Sequence, residues 1–189
     1  MNSFLSDEEL KMYHFKHIGS NVKISRFARF YCPEKIEIGN DSRIDDFCIL
    51  SGKIFLGKNV HIAAYSALYG GMEGIFIDDF SNISSRVTIY SISDDYSGMT
   101  MTNPTIPDEY KNVDSRLVSI GKHVIIGSTS VILPGVSIPD GVACGCFSFI
   151  NRNPEEWSIN VGIPFRKIGD RKMDLLELEA GYLKSHDLK

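Results

Sequence analysis

Between residues 120 and 150, an apolar residue returns at every sixth position of the chain. The positions are Ile120, Ile126, Ile132, Ile138, Cys144 and Ile150. A period of six fits neither the 3.6-residue period of an α-helix nor the two-residue alternation of a long strand. It is typical of a β-helix with triangular coils, in which each side is a short strand with one large inward side chain and each corner is a turn. Three sixes make one coil, and coils stack at about 4.8 Å.

The same inward column continues upstream, which shows that the repeat spans most of the chain. Further coils are read from Ile38, Ile44 and Leu50, from Leu56, Ile62 and Leu68, and from Ile77, Ile83 and Ile89, with a less regular one at Ile18, Ile24, Phe30 and Ile36. Coil starts fall at 38, 56, 77, 120 and 138. The interval from 56 to 77 predicts a three-residue bulge near Gly70-Gly71-Met72. The interval from 77 to 120 predicts a long loop over residues 91–116.

On these repeats the chain resembles the hexapeptide-repeat acyltransferases, over roughly residues 15–170. Within that family it is most similar to the galactoside and maltose acetyltransferases and to the sugar N-acetyltransferases of cell-surface polysaccharide pathways. The resemblance implies an all-β fold, a left-handed parallel β-helix of hexapeptide repeats, and acetyl-CoA as cosubstrate. Left-handed crossovers are exceptional among parallel strands, so the handedness is implied by the resemblance alone.

The chain is expected to form one domain over residues 1–189, in three parts. Residues 1–17 form an N-terminal helical cap, because Ser6 and Glu9 have the spacing of a capping box for a helix that runs to about Phe15. Residues 18–168 form the β-helix with its protruding loop. Residues 170–185 form an amphipathic C-terminal helix that docks on the barrel or on a neighbouring subunit.

Composition narrows the class of protein. The net charge of −4 and the pI near 5.7 argue against general binding of nucleic acid or anionic membranes. The chain has no run of 18 apolar residues, and its first residues are acidic, so we expect a cytoplasmic protein. The four cysteines show no CxxC spacing, so we expect buried reduced thiols and no metal site.

His61 is the predicted general base. It immediately precedes the inward Ile62, so strand alternation directs its side chain outward, between Arg43 below and Asn82 above. The reference pKa of histidine, about 6.5, keeps a neutral base plentiful near pH 7. In galactoside acetyltransferases, by resemblance, the long loop carries the catalytic histidine, and Asp94 occupies the matching position here. Two alternatives therefore remain: Asp94 as the base, or an acceptor amine that arrives already deprotonated.

The other histidines are expected to be structural or exposed. His14 and His17 belong to the N-terminal cap, and His186 lies near the end of the chain. His123 is fourth in its hexapeptide, which predicts a corner position facing solvent.

The remaining site residues are implied by the resemblance. A backbone N–H at the corner Gly127-Ser128 would stabilise the oxyanion. CoA would lie along the last coils, with Arg166 close to a phosphate, and the expected cofactor-binding residues are Ser128, Gly145, Cys146, Asn151, Arg152 and Arg166. The expected substrate-binding residues are Asp46, Ser51, Tyr69, Asn82, Asp94 and Tyr96.

The favoured function is acetyl transfer to the amino group of a nucleotide-linked amino-deoxysugar for cell-surface polysaccharide (O-antigen) synthesis. Alternatives are acetylation of a sugar hydroxyl or of an antibiotic such as chloramphenicol, a zinc hydratase on the same fold, which requires three converging histidines, and a non-catalytic solenoid. Apolar outward positions such as Ile125 and Leu133 predict a homotrimer with active sites between its subunits.

Overall fold

A computed structural model describes residues 3–186; the outermost residues of the predicted domain, 1–2 and 187–189, lie outside the described part. About seven coils of a left-handed β-helix account for most of the chain. The predicted coil register is confirmed, because Ile38, Leu56, Ile77, Ile120 and Ile138 follow one another as parallel strand partners.

The three sides of the coils form three faces. The strands of the first face are His17–Ile18, Ile36–Ile38, the ends of Ile49–Leu56 and Ala67–Ile77, Val118–Ile120 and Ser137–Ile138. The strands of the second face are Lys23–Ile24, Arg43–Ile44, His61–Ile62, Asn82–Ile83, Ile125–Ile126, Ala143–Cys144 and Ser158–Val161, which pairs antiparallel with Arg166–Asp170. The strands of the third face are Arg29–Tyr31, the beginnings of Ile49–Leu56 and Ala67–Ile77, Thr88–Tyr90, Val131–Ile132 and Phe149–Ile150.

The core is a stack of inward aliphatic side chains from all three faces. Ile62, Ile83 and Ile126 of the second face are fully buried, and so are their counterparts on the other two faces. Gly127 allows the coils to stack at a corner, because a Cβ at this position would lie 2.4 Å from the backbone nitrogen of Cys146. The sixfold spacing therefore fixes which residue of each strand faces the core and which faces outward.

The bulge and the long loop lie where the sequence predicts them. In the strand Ala67–Ile77 the pairing register shifts around Gly71, which lies opposite Gly52, and both glycines have positive φ. The loop leaves the third face after Tyr90 and contains an antiparallel pair, Ile92–Ser93 with Asp114–Ser115, and a 3₁₀-helix, Asp108–Tyr110. A second 3₁₀-helix spans Pro33–Lys35.

The N-terminal helix α1 spans Asp7–Lys11, and its capping box is confirmed, with Ser6 accepting from the N–H of Glu9. The predicted extension to Phe15 is wrong. The chain turns at His14, whose φ is 54°, and Phe15 packs edge to face on Phe30 at 5.0 Å. The packing of Phe15 on the first coil therefore takes the place of a longer α1.

The C-terminal helix α2 spans Leu175–His186, so the predicted start at residue 170 is wrong, because residues 166–170 form a strand. The helix docks on the barrel of its own chain, at the corner between the first and second faces. The Asn59 side-chain amide donates to the Tyr182 hydroxyl at 3.1 Å, and Tyr182 contacts the ring of Phe80 edge-on. No helix within residues 3–186 is long and apolar enough to span a membrane.

Two other expectations need correction. His123 does not face solvent, because α2 covers it and leaves its side chain 10% exposed. All four cysteines are free, but only Cys48 and Cys144 are buried, and burial raises their pKa to about 11 and about 12. Cys32 and Cys146 are exposed, because neither lies in an inward column. Cys32 itself has left-handed backbone at a corner, and Cys146 directly precedes such a residue, Phe147.

Candidate active site

His61 lies on the outer side of the second face, as its position before Ile62 predicts. Its strand pairs in register with Arg43 on one side and Asn82 on the other. Because all three residues precede a buried isoleucine, their side chains project from the same face in successive coils. The column continues into apolar residues, Ile125 and Ala143. The polar part of this column therefore runs from Lys23 in the first coil to Asn82 and ends before Ile125.

These outward side chains form a continuous hydrogen-bonded chain. The Arg43 Nε–H donates to Asp45 Oδ1 at 2.6 Å, and His61 Nε2 lies 2.9 Å from Asp45 Oδ2. The other ring nitrogen, Nδ1, lies 2.8 Å from Asn82 Oδ1. Both ring nitrogens of His61 are therefore engaged by neighbouring side chains. As the base, His61 would have to exchange one of these partners for the substrate.

Asp45 is ionised near neutral pH. Burial alone raises its pKa, but the hydrogen bonds from His61 and Arg43 and the positive charge of both partners together lower it below the usual value for aspartate. Sequence reasoning missed Asp45, although its position two residues after Arg43 places it on the same outward side of the chain.

The long loop and the third face line an open cavity of about 1000 Å³. Loop residues Asp94, Tyr96 and Arg116 line it on one side, and Tyr90 and Phe149 line it on the other. The predicted Leu133 also lies here under the loop, rather than on an open outer face.

Asp94 and Asp95 are neighbours in the loop with different roles. Hydrogen bonds from Ser97 and Thr100 hold Asp95 in a local turn and lower its pKa. The Asp94 carboxylate is exposed and makes no hydrogen bond or ion pair to a side chain or backbone group within residues 3–186. Asp94 is therefore the loop carboxylate that is available to a ligand.

Within one chain, the two predicted catalytic residues lie apart. His61 is on the second face, and Asp94 lines the cavity on the third. Of the predicted substrate residues, Ser51 and Tyr69 are strand partners, and Tyr69 stacks on Tyr90 at 5.3 Å beside the loop. Asn82 contacts His61. Tyr96 lines the same cavity as Asp94, and Tyr96 is 94% exposed. The Asp46 carboxylate accepts a hydrogen bond from Ser25.

At the predicted oxyanion corner, the backbone N–H groups of Gly127 and Ser128 differ. The Gly127 N–H donates to the Cys144 carbonyl at 2.7 Å, so it is not available to a substrate. The Ser128 N–H has no acceptor within residues 3–186, and the Ser128 hydroxyl lies 3.3 Å from that of Ser85. Ser128 is the residue of this corner that can donate.

The other predicted cofactor residues lie at the C-terminal end of the barrel. Gly145 is half-buried in the coil above Gly127, and Cys146 and Asn151 are exposed. The Arg152 guanidinium donates to the Phe165 carbonyl. The exposed Arg166 is paired with Val161 in the antiparallel strands, and its side chain has no partner within the described chain. No group of three or more potential metal ligands occurs in residues 3–186.

Ser84 follows Asn82 by two residues on the second face. Its N–H donates to the Ile126 carbonyl at 3.0 Å, and its half-buried side chain lies one coil below the Gly127-Ser128 corner. Ser84 occupies an outward position directly after the inward Ile83.

Comparisons with known proteins agree with this architecture, although a scan against protein-family models finds no match. An acyltransferase from Escherichia coli, named for dTDP-4-amino-4,6-dideoxy-D-glucose, is 46% identical over 186 residues, which are 97% of this chain and 96% of the relative. The crystal structure of the Bacillus cereus N-acyltransferase AntD with dTDP and 3-hydroxybutyryl-CoA is 53% identical, with a TM-score of 0.96 over 99% of this chain and 100% of that one. Further structures of AntD hold CoA, and two of them also hold dTDP-4-amino-4,6-dideoxyglucose; they include variants of a serine and of an aspartate.

A maltose O-acetyltransferase from Clostridium difficile, at 21% identity and a TM-score of 0.57 over 90% of this chain and 80% of that one, shares the fold alone. The barrel and the open polar face define a hexapeptide-repeat acyltransferase. This chain belongs to the hexapeptide-repeat N-acyltransferases of nucleotide-linked amino sugars, the family of the E. coli and B. cereus enzymes. The predicted activity, acyl transfer from a CoA thioester to an amino sugar, is confirmed at this level.

Proposed function

We propose that this enzyme acylates the 4-amino group of dTDP-4-amino-4,6-dideoxyglucose. The observation that carries the proposal is identity of 46% and 53%, over nearly full length, to two enzymes whose names or complexes include this sugar nucleotide. The acyl group is acetyl or a short hydroxyacyl chain, since AntD was solved with 3-hydroxybutyryl-CoA. The product would supply a cell-surface polysaccharide, and we place the enzyme in the cytoplasm on the basis of its CoA and nucleotide-sugar substrates and its four free thiols.

In the reaction, the amine nitrogen attacks the thioester carbonyl carbon and forms the new C–N bond. The carbonyl oxygen becomes an oxyanion, which accepts a hydrogen bond from the free N–H of Ser128. The C–S bond then breaks, CoA leaves as a thiolate that takes up a proton, and the amine loses its extra proton. CoA would lie along Gly145, Cys146, Asn151 and Arg152, with Arg166 at a phosphate.

The geometry favours Asp94 over His61 as the group that receives the amine proton. His61 has both ring nitrogens engaged, at 2.8 and 2.9 Å. Asp94 is exposed, and its carboxylate is available to a ligand. His61 as base stays a prediction, and it requires Asn82 to leave Nδ1.

A homotrimer would complete the site, because one chain holds His61 and Asp94 on different faces. In the proposed assembly the loop of one subunit lies against the second face of its neighbour. Exposed apolar side chains near that face, Ile125 at 37% and Phe147 at 67%, support burial by a second copy. Light scattering that shows a stable monomer at micromolar concentration would contradict the trimer.

The substrate assignment is tested by CoA release with a panel of acceptors: dTDP-4-amino-4,6-dideoxyglucose, a nucleotide sugar without the amine, a free galactoside and chloramphenicol. Acetyl-CoA and 3-hydroxybutyryl-CoA are each supplied as donor. We expect turnover with the amino sugar alone. Turnover with the galactoside but not with the amino sugar would overturn the proposal.

The base is tested with Asp94→Asn and His61→Asn in the same assay. Loss of a general base typically lowers the turnover rate on the order of 10²- to 10⁴-fold. We expect a loss of this size for Asp94→Asn and a smaller one for His61→Asn. The reverse order would make His61 the base. Small effects from both would mean that the amine arrives deprotonated.

A further inference from the structure

We infer that Asp45 and His61 are positioning residues that hold the Asn82 carboxamide with its NH₂ group ready to donate to the acceptor sugar. The inference rests on the proposed function for the place of the sugar, on the outer side of the second face. It assigns a role to the chain of hydrogen bonds from Arg43 to Asn82 that acyl transfer itself does not require.

The first step concerns Nε2 of His61. An ionised carboxylate can only accept hydrogen bonds. Asp45 is ionised near neutral pH, and its Oδ2 lies 2.9 Å from Nε2. Nε2 therefore carries a proton and donates it to Asp45.

The second step concerns Nδ1, which faces the carbonyl oxygen of the Asn82 side chain at 2.8 Å. This oxygen also only accepts. A lone pair on Nδ1 would oppose it, whereas an Nδ1–H donates to it. With the amide in this orientation, both ring nitrogens of His61 act as donors.

The third step follows from the geometry of the amide. With Oδ1 bound to His61, Nδ2 of Asn82 lies on the other side of the carboxamide carbon, away from the ring. Nδ2 has no acceptor within residues 3–186, although Asn82 is half-buried. A half-buried amide with two unused donors favours a ligand that carries oxygen acceptors, such as the hydroxyls of a sugar.

The chain of hydrogen bonds is anchored at its other end. Arg43 holds Asp45 Oδ1 at 2.6 Å, and the Arg43 guanidinium lies 5.2 Å from the ring centroid of Phe4. The charged groups that face His61 are thus Asp45 and, through it, Arg43. The buried thiol of nearby Cys48 is neutral at neutral pH, because burial raises its pKa to about 11. Nothing in this set competes with Asn82 for Nδ1.

The protonation state can be measured without any substrate. In protein with ¹⁵N-labelled histidine, and with His61→Gln to assign the signals, we expect both ring nitrogens of His61 to be protonated at pH 7. An unprotonated Nδ1 at that pH would overturn the inference. Because this experiment involves no turnover, it remains decisive even if the proposed acceptor is wrong.

The positioning role is measured by steady-state kinetics with the sugar nucleotide as the varied substrate. Asn82→Ala and Asp45→Asn should each raise KM for the sugar about 3- to 10-fold, which corresponds to one lost hydrogen bond, and change kcat less. KM of the double variant should be no higher than KM of the weaker-binding single variant, because Asp45 acts only through Asn82.

Two results would overturn the positioning role. One is a large fall in turnover rate for Asp45→Asn, by about 100-fold or more, with KM unchanged, since that pattern identifies His61 as the base. The other is full additivity of the two substitutions. An absence of turnover in the wild type would instead refute the proposed function and leave the protonation result standing.

Discussion

Two histidine–carboxylate pairs lie on this barrel with the same separation and different surroundings. His61 Nε2 is 2.9 Å from Asp45, and His123 Nε2 is 2.9 Å from Glu179. The His61 side chain is 38% exposed on an open strand face, whereas that of His123 is 10% exposed under α2. The ring of His123 stacks on Phe80 at 5.2 Å, and Arg171 donates to its carbonyl at 2.6 Å.

The contrast shows that position within the coil decides the role of a polar residue. An outward strand position leaves one side of the imidazole open to a ligand. A corner position in left-handed backbone, such as His123 with φ of 56°, directs the side chain at whatever packs on that corner. In this chain α2 packs there, which gives His123 a structural role, whereas we propose that His61 serves the site.

The greatest loss of stability is expected at the covered pair. His123→Ala removes a shielded charged hydrogen bond and a ring stack, so the free energy of unfolding should fall by about 2–4 kcal/mol. The matched variant His61→Ala should cost about 1 kcal/mol, since its pair is more exposed. Urea denaturation measures both. Equal losses would remove the contrast between the two regions.

A smaller loss is expected from the second polar contact of α2. Tyr182→Phe deletes the hydroxyl that accepts from Asn59, which should cost about 1 kcal/mol and lower Tm by about 2–4 °C. Tyr110→Phe, on an exposed loop tyrosine, is the control and should leave Tm unchanged. If both variants behave alike, α2 does not depend on this contact.

A gain in stability is expected from a substitution within α2. Gly181 lies within α2, and a Cβ there meets nothing within 4 Å, so Gly181→Ala should stabilise the protein by about 0.5–1 kcal/mol. Gly162→Ala, at a φ of +87°, should act in the opposite direction. Thermal unfolding of the two variants checks the pair, and a loss from Gly181→Ala would mean that α2 packs differently.

The weakest effect is expected in the pH dependence of the stability that the exposed pair of Asp45 and His61 contributes. The pKa of Asp45 is lower in the folded than in the unfolded chain, so its stabilising contribution is complete above about pH 4 and is lost as the pH falls through the folded value. The stability difference between the wild type and Asp45→Asn should therefore shrink toward pH 3. Urea titrations at pH 6 and pH 3 measure this difference. A stability difference that grows at low pH would contradict this prediction.

The barrel could be predicted from the sequence because its repeat is local: one inward side chain in six residues fixes strand, face and register together. The same rule placed His61 outward. The environment of His123 could not be predicted, because Glu179 and Tyr182 arrive from a helix more than 50 residues away. The start of α2 was misplaced for a similar reason, since pairing with Ser158–Val161 holds residues 166–170 as a strand.

The candidate site was predictable only in part. Strand alternation identified His61 and Asn82, but which atom faces which depends on Asp45, whose hydrogen bonds are set by side-chain geometry rather than by spacing. Spacing alone could not separate Gly127 from Ser128, because only the stacking of the coils shows that the Gly127 N–H is already bonded to Cys144.

We propose that the open second face serves the reaction and that the corner covered by α2 serves the fold. The sharpest test of this division measures KM for dTDP-4-amino-4,6-dideoxyglucose and Tm on the same preparations of His61→Gln and His123→Gln. We predict that His61→Gln raises KM with little change in Tm, and that His123→Gln lowers Tm with KM unchanged. A rise in KM for His123→Gln, together with wild-type KM for His61→Gln, would contradict the division.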